Sequence, residues 1–191
     1  MDVLARPAEE LTHGDVTLRR WRRDDAELAF ALVTDSLDHL RPWMSWAAEY
    51  SPEAAQEYLL SCEREWEAGA AFNYLISEHG EPCGSAGLMA RIGPGGLEIG
   101  YWVARARTGR GIATAAAAAL TEAAFGLPGI ERTEIVHDLN NAASGQVPRK
   151  LGYARTGTAA GRFPRAPGEY GTSAIWRLVR PPAGQGTPAR R

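Results

Sequence analysis

The sequence is poor in cysteine and has no long apolar run. Its two cysteines, Cys62 and Cys83, form no CxxC pair and have no companion histidine cluster, which excludes a disulfide scaffold and a structural zinc site. The chain nowhere reaches the run of about 18 apolar residues that a membrane-spanning helix needs, and residues 1–14 lack the apolar core of a signal peptide. We therefore expect a cytoplasmic protein with no metal site and no membrane contact.

Lysine is almost absent, and the charge is nearly balanced. The 21 basic residues are all arginine except Lys150, and 23 acidic residues leave a net charge of −2. This balance argues against the broad basic surface of a nucleic-acid-binding protein. The arginine excess has two interpretations: codon bias, which the abundant alanine and glycine also suggest, or local anion binding by guanidinium groups.

The length and composition fit one globular domain. A chain of 191 residues with 45% hydrophobic residues can bury a single core without dividing into two domains. We assign residues 15–180 to this domain, residues 1–14 to a loose leader, and the Pro- and Gly-rich residues 181–191 to a disordered tail.

Hydrophobic periodicity places strands and helices in a mixed order along the domain. Strands are predicted at residues 16–21, 72–77, 83–91, 97–103, 132–138, 153–158 and 172–179, and helices at residues 24–33, 51–69, 111–125 and 141–151. Early hairpins followed by one late β-α-β crossover predict an α/β fold, in which helices cover both faces of the sheet.

The segment between the strand at 97–103 and the alanine-rich helix is suited to anion binding. Gly109 and Gly111 let backbone N–H groups turn toward a ligand at the helix N-terminus, and Arg105, Arg107 and Arg110 add positive charge. The segment is neither a Walker loop nor the dinucleotide-binding GxGxxG, because Thr114 stands at the third glycine position. A plain strand-to-helix turn with solvated arginines is the alternative.

Four motifs together carry a family resemblance. They are Glu98-Ile-Gly-Tyr-Trp-Val103, Gly109-Arg-Gly-Ile-Ala-Thr114, Asn141-Ala-Ala-Ser144 and Lys150-Leu-Gly-Tyr153. In this combination the chain resembles the GNAT superfamily of acyl-CoA-dependent N-acetyltransferases, and within it the RimJ/RimL-like branch. The resemblance implies a mostly antiparallel, mixed sheet of about six to seven strands. It also implies acetyl-CoA as co-substrate, a protein N-terminus or small amine as acceptor, and a monomer or homodimer.

The resemblance also implies which residues contact the donor. The diphosphate is expected on the backbone of the loop from Thr108, and the pantetheine arm beside the strand as a pseudo-strand. The sequence departs from the family pattern at Thr108, where glutamine or arginine is usual. Asn141 is expected to touch the cofactor, and the hydroxyl of Ser144 to protonate the departing thiolate; a helix cap is the alternative for Asn141. The donor-binding residues implied are Ile99, Tyr101, Trp102, Val103, Thr108, Gly109, Arg110, Gly111, Ile112, Ala113, Thr114, Asn141 and Ser144.

An amine acceptor must lose a proton before or during attack, so a base is needed. Glu98 is the first candidate because an acid in an apolar strand is costly unless it is paired or used; an ion pair with an arginine is the alternative. His137 is the second candidate, with a half-buried structural histidine as the alternative. Trp43 and Trp46 are candidates for the acceptor pocket.

Two other functions remain open from the sequence. The same fold could serve as a non-catalytic acyl-CoA-binding or regulatory module, or the loop could belong to a nucleotide-binding fold of another kind. Only an enzyme must remove the proton of the amine, so binding of acetyl-CoA without its consumption with any amine would indicate the non-catalytic module. Stabilisation by ATP or NAD rather than acetyl-CoA would reveal the second.

Overall fold

A computed structural model describes residues 5–182 of the chain. Its strands are β1 (Glu10–His13), β2 (Val16–Arg20), β3 (Ala71–Glu78), β4 (Glu81–Met89), β5 (Gly96–Val103), β6 (Arg132–Asp138), β7 (Ala154–Ala160) and β8 (Thr172–Val179). Its helices are α1 (Ala26–Thr34), α2 (Leu37–Leu40), α3 (Pro52–Ala68), α4 (Ile112–Gly126) and α5 (Ala142–Lys150). Short 3₁₀ turns lie at Arg23–Asp25, Ser45–Ala47 and Arg105–Arg107.

The eight strands form one sheet in the order β1-β2-β3-β4-β5-β6-β8-β7. Neighbouring strands are antiparallel except β5 and β6, which are parallel and joined by the α4 crossover. The predicted α/β class, the mixed and mostly antiparallel sheet and the single crossover are therefore confirmed. The sheet has one more strand than the upper limit that we expected.

Helices cover both faces of the sheet. On β3, Leu75 packs with Trp21 and with residues of α1 and α3, whereas its neighbours Tyr74 and Ile76 belong to the larger cluster that contains α4 and part of α5. Because side chains alternate between the faces of a strand, α1 and α3 lie on one face, and α4 and α5 lie on the other.

The ends of α3 show why its boundaries could be predicted. The Ser51 hydroxyl accepts a hydrogen bond from the backbone N–H of Ala54 at 3.2 Å, and Pro52 occupies the first turn. At the other end Gly69 adopts a left-handed φ of 68°, and the N–H groups of Gly69 and Ala70 bond to Trp66 and Glu65.

The assignment of residues 1–14 to a loose leader is wrong for Glu10–His13. These residues form β1, which pairs with β2 over Glu10↔Arg19 to His13↔Val16. Strand β1 is largely exposed, and only Leu11 packs on the core, so it carries no hydrophobic pattern and is held by backbone pairing. Most of the tail, from residue 183 onward, lies outside the described residues.

Within residues 5–182, no helix is both long and apolar enough to cross a membrane. The same part of the chain brings no three histidine, cysteine or acidic side chains together in a way that could hold a metal ion.

Candidate active site

The centre of the sheet opens where β5 and β6 diverge. Their parallel pairing ends at Ile99↔Ile135, yet β5 stays paired with β4 as far as Val103 and β6 with β8 as far as Asp138. Beyond Ile99 and Ile135, the edges of β5 and β6 that face each other are therefore not paired with any strand. Backbone groups of residues 100–103 are available on this edge to an extended, peptide-like ligand.

The loop after β5 has the backbone shape that the sequence predicted. Gly109 and Gly111 have φ values of 77° and 83°, and Gly111 precedes α4 without a side-chain cap. No atom lies within 4 Å of where a Cβ would stand at either position, so the backbone conformation, not crowding, requires glycine. The uncapped N–H groups and the positive end of the α4 dipole form a surface suited to an anion.

Two of the three arginines near this loop, Arg107 and Arg110, are ion-paired. The guanidinium of Arg107 contacts the carboxylate of Glu78 at 3.2 Å, and that of Arg110 contacts the same carboxylate at 2.9 Å. Arg107 and Arg110, which flank Thr108 in the loop, therefore share one carboxylate partner. The Thr108 hydroxyl itself donates to the carbonyl of Arg105 at 3.0 Å, and Ile112 is buried in the core.

Tyr101 and Ser144 meet at the inner end of the opening. The Tyr101 hydroxyl donates to the Ser144 carbonyl at 3.1 Å and lies 3.3 Å from the Ser144 hydroxyl oxygen. Burial raises the pKa of Tyr101 to about 12, so that this phenol remains protonated at neutral pH. The two hydroxyls form a proton-bearing pair that the strand and α5 hold in place.

Asn141 acts as the N-cap of α5. Its side-chain oxygen accepts a hydrogen bond from the Ser144 backbone N–H at 3.1 Å, as the alternative interpretation of the sequence proposed. Asn141 and Ser144 also both line the cleft. The cap therefore fixes the position of Ser144, and a contact of Asn141 with the cofactor stays a prediction.

Glu98 lies on the cleft wall between two arginines. Its carboxylate pairs with Arg91, and with Arg162 at 2.7 Å, while its own side chain is only 6% exposed. Burial by itself raises the pKa of Glu98, but hydrogen bonds and positive charge from Arg91 and then Arg162 outweigh it, so the pKa lies below its usual value. Glu98 is therefore ionised at neutral pH, and the ion pair weighed as an alternative is present.

His137 has a partner at each ring nitrogen. Its Nδ1 lies 2.8 Å from the backbone carbonyl of Asp138, and its Nε2 accepts a hydrogen bond from the Trp176 indole N–H at 3.0 Å. Both contacts fit one neutral tautomer, with the proton on Nδ1. A Cβ added at Gly145 would stand 2.8 Å from Nε2, so α5 also covers the ring. This geometry favours the structural role over that of a base.

A cleft of about 1020 Å³ is lined by Glu98, Tyr101, His137, Asn141 and Ser144. Trp43 and Trp46 both line it, together with Tyr50 and Trp102; that they form the acceptor pocket stays a prediction. The Trp46 ring lies 5.8 Å from Tyr50 and 6.5 Å from Trp102 between centroids. Trp66, in contrast, is buried against Phe72 and Tyr74 in the core.

The β7–β8 loop closes one side of this cleft. Both carboxylate oxygens of Asp138 accept hydrogen bonds from this loop, from the backbone N–H groups of Tyr170 and Gly171 at 2.8 Å. The N–H of Gly168 bonds to the carbonyl of Pro42 at 2.9 Å across the cleft, and a Cβ at Gly168 would stand 2.7 Å from that oxygen. The loop is thus held by hydrogen bonds at Gly168, Tyr170 and Gly171.

Several site residues were missed from the sequence. The partners of Glu98 come from positions 7 and 64 residues away, a relation that no local pattern encodes. Glu78 carried a weak signal, since it is an acid that ends a strand immediately before a turn. Tyr101 was predicted as a cofactor contact, and the hydroxyl pair that it forms with Ser144 could not be foreseen.

The comparisons with known proteins agree with this geometry. Residues 15–154 match the family described as Acetyltransferase (GNAT) domain. YdaF of Bacillus subtilis (strain 168), named as a candidate ribosomal N-acetyltransferase, is 28% identical over 156 residues, which are 75% of this chain and 80% of YdaF.

Solved structures show the same fold at lower identity. RimJ of Mycobacterium smegmatis, in complex with CoA-disulfide, superposes with a TM-score of 0.79 at 24% identity, over 96% of this chain and 90% of RimJ. RimL, a ribosomal L7/L12 α-N-protein acetyltransferase in complex with CoA, gives 0.78 at 23% identity, over 88% and 96%. The chain belongs to the GNAT acetyltransferase family, whose members transfer an acetyl group from acetyl-CoA.

Proposed function

We propose that this protein transfers the acetyl group of acetyl-CoA directly to a primary amine, either a protein N-terminus or a small amine. The observation that carries the proposal is the opening between β5 and β6. The chain runs from the free end of β5 into the Gly109–Gly111 loop, and the opening contains the hydroxyl pair of Tyr101 and Ser144. Acetyl-CoA supplies a thioester, whose carbonyl carbon an amine attacks and whose sulfur leaves as a thiolate.

The donor half of the site consists mainly of backbone. The free edge of residues 100–103 on β5 offers N–H and C=O groups to the pantetheine arm, and one such N–H can polarise the thioester carbonyl. The uncapped N–H groups at the start of α4 face the diphosphate. Because backbone groups make most of the proposed contacts with the donor, threonine at position 108 in place of the usual glutamine or arginine weakens donor binding only slightly.

Ser144, supported by Tyr101, is the proposed proton donor to the departing thiolate. The Tyr101 hydroxyl is 3.3 Å from the Ser144 oxygen, and the pKa of Tyr101 near 12 keeps its proton available. A thiol has a pKa of roughly 8.5, so the thiolate that leaves is a weaker base than the phenolate. Tyr101 therefore passes its proton to Ser144 as Ser144 protonates the thiolate, and the phenolate left on Tyr101 takes a proton back from water in the open cleft.

Glu98 is the proposed acceptor-side carboxylate, and His137 is not needed for proton transfer. The ionised carboxylate of Glu98 lines the cleft. Because Arg91 and Arg162 leave one net positive charge around it, an ammonium group is attracted only where it replaces Arg162, and Glu98 then takes its proton directly or through water. Arg91 and Arg162 hold the carboxylate in one position at the expense of basicity. His137 has both nitrogens occupied, which suits a role in orienting α5.

The aromatic wall of Trp43 and Trp46 is the proposed acceptor surface. Flat apolar rings bind the extended start of a polypeptide without requiring one sequence. The relatives YdaF and RimL are named for ribosomal substrates, which supports a protein N-terminus as the first acceptor to test.

The test is an acceptor screen that follows release of CoA thiol from acetyl-CoA. Peptides with free N-termini, polyamines, amino acids and aminoglycosides form its four classes, and N-terminally blocked peptides are the matched control. We expect turnover with free amines only. Acetylation of the blocked peptide on a hydroxyl would contradict amine transfer.

A non-catalytic acyl-CoA-binding module is the second candidate. The observation that favours it is the occupation of both predicted bases, Glu98 by two arginines and His137 by two hydrogen bonds. A thermal-shift panel with acetyl-CoA, ATP and NAD at about 100 times the dissociation constant should show stabilisation of about 2.7 kcal/mol for the true ligand. Stabilisation by acetyl-CoA without turnover of any amine would favour the module.

A further inference from the structure

A buried carboxylate lies behind the glycine loop. Glu78 is the last residue of β3 and is followed by the turn at His79 and Gly80, whose φ values are 52° and 82°. Two consecutive left-handed residues make the tight turn that matches strand twist in a hairpin. Glu78 is therefore fixed directly opposite Glu81, and its side chain is only 9% exposed.

Glu78 ties together the two sides of the loop. Arg107 contacts its Oε2 at 3.2 Å. Arg110 approaches both carboxylate oxygens, Nη2 to Oε2 at 2.9 Å and Nε to Oε1 at 3.2 Å. Arg107 precedes Gly109 and Arg110 follows it, so one carboxylate from a different hairpin bridges the glycine.

Hydrogen bonds from Thr108 to the Arg105 carbonyl close the turn before Gly109, but Gly109 and Gly111 have no side chain to hold the stretch that follows. Gly109 has open space where a side chain would stand, and glycine loses more conformational freedom on ordering than any other residue. Two arginines against one carboxylate leave one net positive charge beside the N-terminus of α4. The bridge therefore orders the loop without removing its attraction for an anion.

We propose that Glu78 is a positioning residue for the donor: through Arg107 and Arg110 it holds the glycine loop in the conformation that receives the diphosphate of acetyl-CoA. The inference rests on the proposed assignment of this loop to the diphosphate. Glu78 itself touches no part of the donor. Its effect should therefore be confined to ligands that carry the diphosphate.

The first experiment is calorimetric titration with CoA, which requires no turnover. Glu78→Gln should weaken CoA binding about tenfold, a typical size for coupling between neighbouring sites. Glu78→Asp keeps a carboxylate and should fall between wild type and Glu78→Gln, which also serves if the glutamine variant folds poorly. Glu81→Gln, at the exposed position across the hairpin, is the matched control and should bind as wild type. Unchanged or tighter binding by Glu78→Gln would overturn the proposal.

The second experiment separates positioning from general damage. With a working acceptor, Glu78→Gln should raise the KM for acetyl-CoA, while its rate with S-acetyl-pantetheine, which lacks the diphosphate, should match that of wild type. An equal loss with both donors would show that Glu78 only supports the fold. If the wild type acetylates no amine, the proposed function fails, and the CoA titration still decides the role of Glu78.

Discussion

The two ends of the active site use the same device for different purposes. At the donor end Glu78 is buried between Arg107 and Arg110, and at the acceptor end Glu98 is buried between Arg91 and Arg162. A buried carboxylate is costly without partners, and both sites meet this cost with two guanidinium groups. The two pairs of arginines differ in the segments of the chain to which they belong.

The donor clamp, formed by Glu78 with Arg107 and Arg110, joins the glycine loop to a neighbouring hairpin. The acceptor clamp, formed by Glu98 with Arg91 and Arg162, spans the cleft. Arg107 and Arg110 lie in one loop, and we expect neither to move when the donor enters. Arg162 reaches Glu98 from the β7–β8 loop and is 49% exposed, so an incoming ammonium group can replace it. If the proposed assignments hold, we therefore expect the donor end to bind one constant ligand and the acceptor end to exchange Arg162 for the amine.

The substitution with the largest expected effect is Glu98→Gln. Loss of the acceptor-side carboxylate should lower kcat/KM for the amine about 100-fold, at the lower end of general acid–base effects. CoA affinity should stay at the wild-type value, because Glu98 belongs to the other end of the site. Steady-state kinetics combined with CoA titration measures both. A loss of CoA affinity comparable to that of Glu78→Gln would end the distinction between the clamps.

Ser144→Ala tests the point where the two ends meet. We expect kcat to fall about tenfold, less than for Glu98→Gln, because the Tyr101 hydroxyl is 3.3 Å away and can protonate the thiolate in its place. The double variant with Tyr101→Phe should lose more than the sum of the separate effects on the activation free energy. Thr158→Ala, on the exposed strand β7, is a suitable control. Strictly additive effects would show that the hydroxyls do not substitute for each other.

Much of the fold could be predicted from local pattern. The predicted range of β6 and the approximate range predicted for β8 match the observed strands. The glycine loop was predicted because left-handed turns require glycine at defined positions. Strand β1 was not predicted, because its largely exposed side chains show no hydrophobic pattern.

The arrangement of the acceptor end could largely not be predicted from the sequence. The β7–β8 loop has no periodicity, and its position depends on Asp138 and on the carbonyl of Pro42. The pairing of Glu98 with Arg162 joins residues 64 positions apart. Glu98 was recognised as a functional candidate, but its ionisation depends on these distant charges, which only the folded chain brings together.

Arg162→Gln should have a smaller effect than either substitution above. The arginine is half exposed, and such ion pairs contribute roughly 0.2–1 kcal/mol, equivalent to at most about a fivefold change in an equilibrium. Because the loop is also held through Asp138, we expect the KM for the acceptor to change about threefold and CoA affinity not at all. Arg155→Gln, on the exposed strand β7, is the control. A change in CoA affinity would contradict the separation of the two ends.

The smallest expected effect is the pH dependence of stability at the acceptor clamp. The pKa of Glu98 is lowered in the folded protein, so its carboxylate stabilises the fold above the usual value of 4.5, and this contribution is lost as the pH falls through the folded pKa. Glu98→Gln removes a group that titrates. The difference in unfolding free energy between wild type and Glu98→Gln should therefore shrink as the pH is lowered from 7 through this range, in urea titrations at each pH. A difference that stays constant or grows toward acid would mean that Arg91 and Arg162 do not hold Glu98 ionised, and the exchange of Arg162 for an ammonium group would lose its electrostatic basis.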